Sequence, residues 1–222
     1  MNDNLTLLIP AKKESESLPI FLKELESYKF KILIVLEKDD MITLDSLKKF
    51  SNLEILQQNN KGYGSALIEG INFIKTKYFC IINADGSMNP SYLEEMLSHT
   101  KDNDLIFTSR YLKEGGSEDD DLITFVGNKF FSTLGKIFFN LKINDILYTY
   151  VLGDTKKVKN LNLNFHDFRI CVELPILAHR SKLIYKCLPS KERKRIGGKK
   201  KVNPFRDGLL IFFAMISLFF KK

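Results

Sequence analysis

A chain of 222 residues with 44% hydrophobic content is long enough to bury a sizeable core, which excludes a disordered chain and fits one main domain plus a tail. The formal net charge of +7 suits an anionic partner such as a nucleotide, a lipid phosphate, a membrane surface or a nucleic acid, without choosing among them. Cys80, Cys171 and Cys187 are odd in number, widely spaced and set in apolar segments, so buried thiols in a reducing compartment are expected rather than a disulfide framework. The opening MNDNLTLLIP has neither the basic start nor the apolar run of a signal peptide, and the catalytic part is expected to stay cytoplasmic.

In chain order, Leu5 to Ile9, Lys31 to Leu36, Leu53 to Leu56, Tyr78 to Ile82 and Leu105 to Thr108 have the length and apolar content of strands. Between them, Leu18, Phe21, Leu22 and Leu25 repeat at helical spacing, as do Leu67, Ile71 and Ile74. Alternation of this kind predicts an α/β domain with a mainly parallel sheet flanked by helices, whose ligands gather at the carboxyl ends of the strands. The polar clusters Pro10 to Glu14, Glu37 to Asp40, Asn60 to Gly64 and Asn83 to Ser87 all fall at those ends.

Two stretches carry chemistry. In NNKGYGSALIEG, Gly62 and Gly64 stand between a strand and a helix, where missing side chains let backbone amides approach a phosphate. Leu67 replaces the third glycine of a dinucleotide fingerprint, although Asp85 supplies an acid at about the right distance, and a plain tight turn explains the glycines equally well. In CIINADGSMNP a buried strand runs into Asn83, Asp85, Ser87 and Asn89. Turn chemistry before Pro90 accounts for such residues, and so does a carboxylate held at a strand end for a metal or ligand.

The order of these motifs resembles the GT-A fold of family 2 glycosyltransferases: PAKKE after the first strand, LEKDDMIT after the second, GYGSA after the third and NADGS after the fourth. TSRY at Thr108 to Tyr111 with Gly115 and Gly116, and VELPILAHRSKLIYKCLPSKERKRIGG at Val172 to Gly198, resemble the branch containing dolichol-phosphate mannosyltransferases and other polyprenyl-phosphate glycosyltransferases. The resemblance implies a nucleotide-sugar site formed by Pro10, Glu14, Glu37, Gly62, Gly64, Asn83 and Asp85, with Glu37 meeting the nucleoside. It implies Mg2+ or Mn2+ at Asp85 and Ser87, with Asn83 standing where the family's first metal aspartate falls. Lys12 and Lys13 replace an aromatic residue and an amide of the common opening, so contacts to the base differ.

The same resemblance makes Asp85, Arg110 and Glu173 the catalytic set and Arg110, Lys129, Arg193 and Arg195 the phosphate ligands. Seven of the eleven residues from Lys191 to Lys201 are cationic. A solvated surface is the ordinary reading of such a run; a loop around an acceptor phosphate is the other. His99, His166 and His179 lack metal-ligand spacing. The domain is expected to span 1–203, with 204–222 as an apolar helix. Its twelve-residue stretch Leu209 to Phe220 falls short of the ~20 residues needed to cross a bilayer. It fits a helix lying in the cytoplasmic membrane interface, or one packed on the core or in a homo-oligomer interface. The phenylalanines of Ile123 to Asn140 pose the same choice.

The expected activity is transfer of a sugar, with inversion, from a nucleoside diphosphate to a polyprenyl phosphate or related membrane-linked acceptor, without a nucleic-acid partner. Two rivals are a Rossmann-type oxidoreductase, whose glycine loop follows the opening strand, and a catalytically idle GT-A module that binds lipid or protein.

Overall fold

The computed structural model describes residues 4–221. Its first half alternates β1 (Leu5–Ala11), α1 (Leu18–Leu25), β2 (Lys31–Glu37), α2 (Met41–Ser46), β3 (Glu54–Gln58), α3 (Tyr63–Phe73), β4 (Tyr78–Ile81) and α4 (Leu93–Ser98). The second half runs β5 (Leu105–Ser109), β6 (Gly116–Ser117), α5 (Leu122–Phe139), β7 (Val151–Asp154), α6 (Thr155–Lys159), α7 (Ile170–Arg180), β8 (Tyr185–Pro189), β9 (Lys191–Glu192) and α8 (Pro204–Phe220).

Seven strands form one sheet in the order β3-β2-β1-β4-β7-β5-β8, and β6 pairs with β9 in a separate ribbon. All neighbours in the large sheet are parallel except β7, which is inserted antiparallel between β4 and β5. The glycine turn Gly62–Gly64 therefore follows an edge strand and not the opening one, which removes the oxidoreductase reading.

Successive side chains of β1 serve opposite faces, as the two-residue period of a strand requires. Leu5, Leu7 and Ile9 join α1 and α4 on one side, while Leu8 joins α3, α5, α7 and α8 on the other. Because both faces are covered, the central strands read as near-continuous apolar runs. Cys80 and Cys171 are buried free thiols and Cys187 is partly buried; burial pushes Cys171 up to about 12 and Cys187 up to about 11.

Asn203 caps α8 through its side-chain oxygen, and Pro204 opens the helix with the backbone angle already set. Ile211, Ala214, Met215 and Leu218 line one stripe of α8 and are buried in the main core. The tail helix is thus seated on the domain. Its other face carries exposed Phe205, Leu209, Phe213, Phe219 and Phe220. Stacking of Phe130 with Phe212 and edge contact of Phe138 with Phe219 place α5 alongside in the same direction, with Leu122, Ile123, Val126, Ile137 and Phe138 exposed as well. No helix among the described residues is long and apolar enough to cross a membrane.

Candidate active site

Parallel strands bring the ends of β1, β2 and β4 together, and the predicted acids follow those ends. Glu14 and Glu37 are 8% and 7% exposed, and each takes a lysine: Lys201 Nζ reaches Glu14 Oε1 at 2.9 Å and Lys12 Nζ reaches Glu37 Oε1 at 2.9 Å. Ser17 Oγ donates to the other oxygen of Glu14 at 2.5 Å, which fixes the carboxylate's plane. Asp40 accepts from the backbone of Lys13 and caps α2, tying the PAKKE loop to the acidic loop after β2. A shallow cleft of about 200 Å³ opens beside Glu37, walled by Lys38, Asp39, Gln58, Asn59 and Lys61. Pro10 leads into this corner, in register with Val35.

Asp85 sits beyond β4 on a turn whose Gly86 adopts φ of +73°, a conformation that L side chains rarely hold. Its Oδ1 accepts from Ser87 N at 3.1 Å and Ser87 Oγ at 2.8 Å, so these two bonds leave Oδ2 unused. That oxygen lies 3.4 Å from Arg195 Nη1. Asn83 accepts from Tyr63 Oη at 3.3 Å, and Tyr63 is itself hydrogen-bonded to Thr149. Tyr63 stands between the two glycines of the GYGSA stretch, where the sequence drew attention only to its neighbours; burial pushes its phenol well above the usual range, so it acts as a neutral hydrogen-bonding group.

Several predicted site residues do other work. A Cβ on Gly64 would lie 2.1 Å from the Phe165 carbonyl oxygen and one on Gly62 would lie 2.3 Å from that of His166, so both glycines admit the 165–167 backbone. His166 completes this contact: its carbonyl accepts from Ser65 N, and its Nδ1 lies 2.9 Å from Ser65 Oγ. Glu173 holds the same loop from behind. Its two oxygens accept from the backbone N–H groups of Asn164 and Phe165, so it orients backbone, not an active-site cation. Burial raises its pKa and these N–H groups partly offset the rise.

Arg110, expected to clamp a phosphate, is 8% exposed and fully engaged. Nε and Nη2 make a fork on Asp145 at 2.8 and 2.9 Å, and Nη1 donates to Glu192 at 3.0 Å. Burial alone would lower its pKa, but Asp145 and Glu192 outweigh burial and raise it. Arg110 therefore ties the end of β5 to the loop before β7 and to β9. Lys129 is exposed on α5, whereas its neighbour Asn128 is buried and donates to Asp145.

The basic segment folds back over the strand ends. Arg193 pairs with Glu24 at 2.8 Å and donates to the Gly86 carbonyl, Arg195 forks onto Asp119, and Lys200 reaches Asp121. The partner acids belong largely to the run Glu118 to Asp121, which the sequence reading passed over although its charge is opposite to that of 191–201. Arg195 thus stands beside Asp85, at 3.4 Å from its Oδ2.

The chain's comparisons agree with this geometry. The profile of Glycosyl transferase family 2 matches residues 6–161. That span is more than half of the chain, and the protein belongs to this family. Among similar solved structures is glucosyl-3-phosphoglycerate synthase from Mycobacterium tuberculosis in complex with Mn2+, UDP and phosphoglyceric acid, at a TM-score of 0.74 and 10% identity, covering 99% of this chain and 79% of that one. The same enzyme with UDP alone gives a TM-score of 0.74 at 9% identity, covering 98% and 80%. At such identities the likeness establishes the GT-A fold.

Proposed function

We propose that this family 2 glycosyltransferase moves a sugar from a nucleoside diphosphate to a lipid phosphate presented at the cytoplasmic face of a membrane. The observation that carries the donor half is the placement of Glu14, Glu37 and Asp85 after the adjacent strands β1, β2 and β4, with an open cleft beside Glu37. Glu37 faces the nucleoside and Asp85 faces the diphosphate in this reading.

A divalent ion, Mg2+ or Mn2+, fits the residues present. Among the described residues no group of three or more His, Cys, Asp or Glu side chains is arranged to hold a metal. A hard cation needs only one or two carboxylates when substrate phosphates and water complete its shell, and Asp85 Oδ2 already faces a positive charge. Ser87 Oγ donates its proton to Asp85, which orients that carboxylate, and its lone pairs remain for the ion. The ion, when bound, neutralises the departing diphosphate. The structural relatives are crystallised with Mn2+ or Mg2+ and UDP, which supports the same donor chemistry here.

Two features favour a phosphate acceptor at a membrane. An acceptor phosphate is already anionic and needs orientation more than a base, whereas a hydroxyl acceptor needs a carboxylate base. Glu173, the first candidate for that base, spends both oxygens on backbone N–H groups. The helices α5 and α8 lie side by side and each exposes several apolar residues, a combination that marks interaction surfaces. Arg206 and Lys221 lie exposed near the two ends of α8, suited to anionic headgroups.

Removing α8 would uncover the core, so point changes are the better test. Leu209→Glu with Phe213→Glu, both on its exposed face, is expected to abolish co-sedimentation with anionic liposomes at ~0.5 M salt, where exposed charges are strongly screened. Undiminished sedimentation of the folded double variant counts against the face. For the donor, a thermal-shift screen is expected to show stabilisation by at least one sugar nucleotide with Mn2+, of about 2.7 kcal/mol at a hundredfold excess over Kd. Stabilisation by NAD alone would sink the assignment.

A further inference from the structure

We propose that Arg195 is a built-in competitor for the metal: its guanidinium pairs with Oδ2 of Asp85, and a divalent ion reaches that oxygen by displacing it. This rests on the reading of Asp85 as the metal carboxylate and adds a residue that sets the site's affinity for the ion.

Arg195 is shared between two acids on two different segments. Its Nε and Nη2 edge forks onto Asp119 at 3.1 and 2.6 Å, and Nη1 remains for Asp85 Oδ2 at 3.4 Å. The side chains of Arg195, Asp119 and Asp85 are 20%, 12% and 12% exposed, so the charges are partly shielded from water. Asp119 first, with Asp85 adding to it, raises the guanidinium's pKa and keeps it charged at any pH the enzyme meets. A cation arriving at Oδ2 cannot share that oxygen with another positive charge at such a distance. The guanidinium is rigid, so Nη1 leaves Oδ2 only when the whole group tilts; the Asp119 carboxylate, on a separate segment, remains its partner, and displacement leaves neither charge without a counter-ion.

The surrounding loop is built to return the guanidinium. Arg193 N–H donates to the Ser87 carbonyl and Ile196 N–H donates to the Asp85 carbonyl, both at 2.8 Å, bracketing Arg195 on the turn that carries Asp85. Ile196 lies over Gly86 so closely that a Cβ there would meet its Cδ1 at 2.4 Å. Lys201 on Glu14 pins the far end of the segment at 2.9 Å. The loop's register is therefore held by backbone and packing, while only the Nη1 contact depends on the metal-binding oxygen.

Competition predicts opposite effects from the two partners of one ion pair. With Arg195→Gln the competitor is gone, and the Mn2+ concentration that gives half of the thermal stabilisation at a fixed, saturating concentration of UDP falls about fivefold, the upper end for an exposed pair. With Asp119→Asn, Arg195 leans wholly on Asp85 and Mn2+ binding weakens. The double variant behaves like Arg195→Gln. If Arg195 merely braces the loop, both single changes loosen it and move Mn2+ affinity in the same direction, which overturns the proposal, as does an unchanged affinity in folded Arg195→Gln. Asp85→Asn separates the two claims. Mn2+ binding that survives it refutes Asp85 as the metal carboxylate and with it the competition, whereas binding lost in Asp85→Asn but insensitive to Arg195→Gln refutes the competition alone.

Discussion

Asp85→Asn is expected to remove most glycosyl transfer while leaving the fold in place. The substitution deletes the negative charge beside the leaving diphosphate and keeps the side chain's shape. The loss is electrostatic. Removing one preorganised group that stabilises developing charge typically costs about 10²–10³ in kcat, and a metal anchor lies at the upper end. Asn83→Asp, which restores a second acid, is the complementary variant. Unchanged turnover in purified, folded Asp85→Asn would place the diphosphate elsewhere. Asn83 in the wild type carries no charge and accepts a hydrogen bond from Tyr63, so the negative charge at this turn comes from Asp85.

The second large effect concerns Arg110, and it should appear in stability. Arg110→Met leaves Asp145, whose side chain is 0% exposed, and Glu192, at 9%, without their shared cation. Breaking a buried pair by removing one partner costs about 3–5 kcal/mol because the other charge stays buried and uncompensated. For a chain of this size that corresponds to a fall in Tm of roughly 6–20 °C. Arg110→Lys keeps the charge but cannot reproduce the fork on Asp145, so it should fall between wild type and Arg110→Met. A phosphate ligand would behave differently: either change would cost turnover and leave urea unfolding untouched.

Much of the fold was legible because its central strands are buried on both faces and so read as apolar runs of strand length. Leu5 to Ile9 and Tyr78 to Ile82 needed no further signal. β7 was not legible: four residues inserted antiparallel between β4 and β5 leave no period to read, and its place depends on partners far along the chain. The ribbon of β6 and β9, two residues each, is invisible for the same reason.

The acids of the proposed donor site were legible from motif order, since each lies shortly after its strand or at its end. The partners of the cationic residues were not. Arg110 meets Asp145 thirty-five residues away and Arg195 meets Asp119 seventy-six away, and a lone aspartate in NDIL carries no motif. The run Glu118 to Asp121 was the available signal, because an acidic block and a basic block in one small domain invite pairing. Gly62 and Gly64 misled through a true rule. A glycine marks close approach of backbone, and here the approaching group is the 165–167 loop.

The central claim is transfer of a sugar from a nucleoside diphosphate to a lipid phosphate, and its most direct test follows labelled sugar from a panel of sugar nucleotides. The reaction is run with Mn2+ and liposomes containing a polyprenyl phosphate, beside a parallel reaction offering soluble phosphoglyceric acid. The account predicts label in the organic phase from at least one donor, dependent on the ion and lost in Asp85→Asn. Label only in a water-soluble phosphoglycerate product would contradict the lipid acceptor while leaving the donor site standing, and no enzyme-dependent transfer or release of sugar from any donor would contradict the account as a whole.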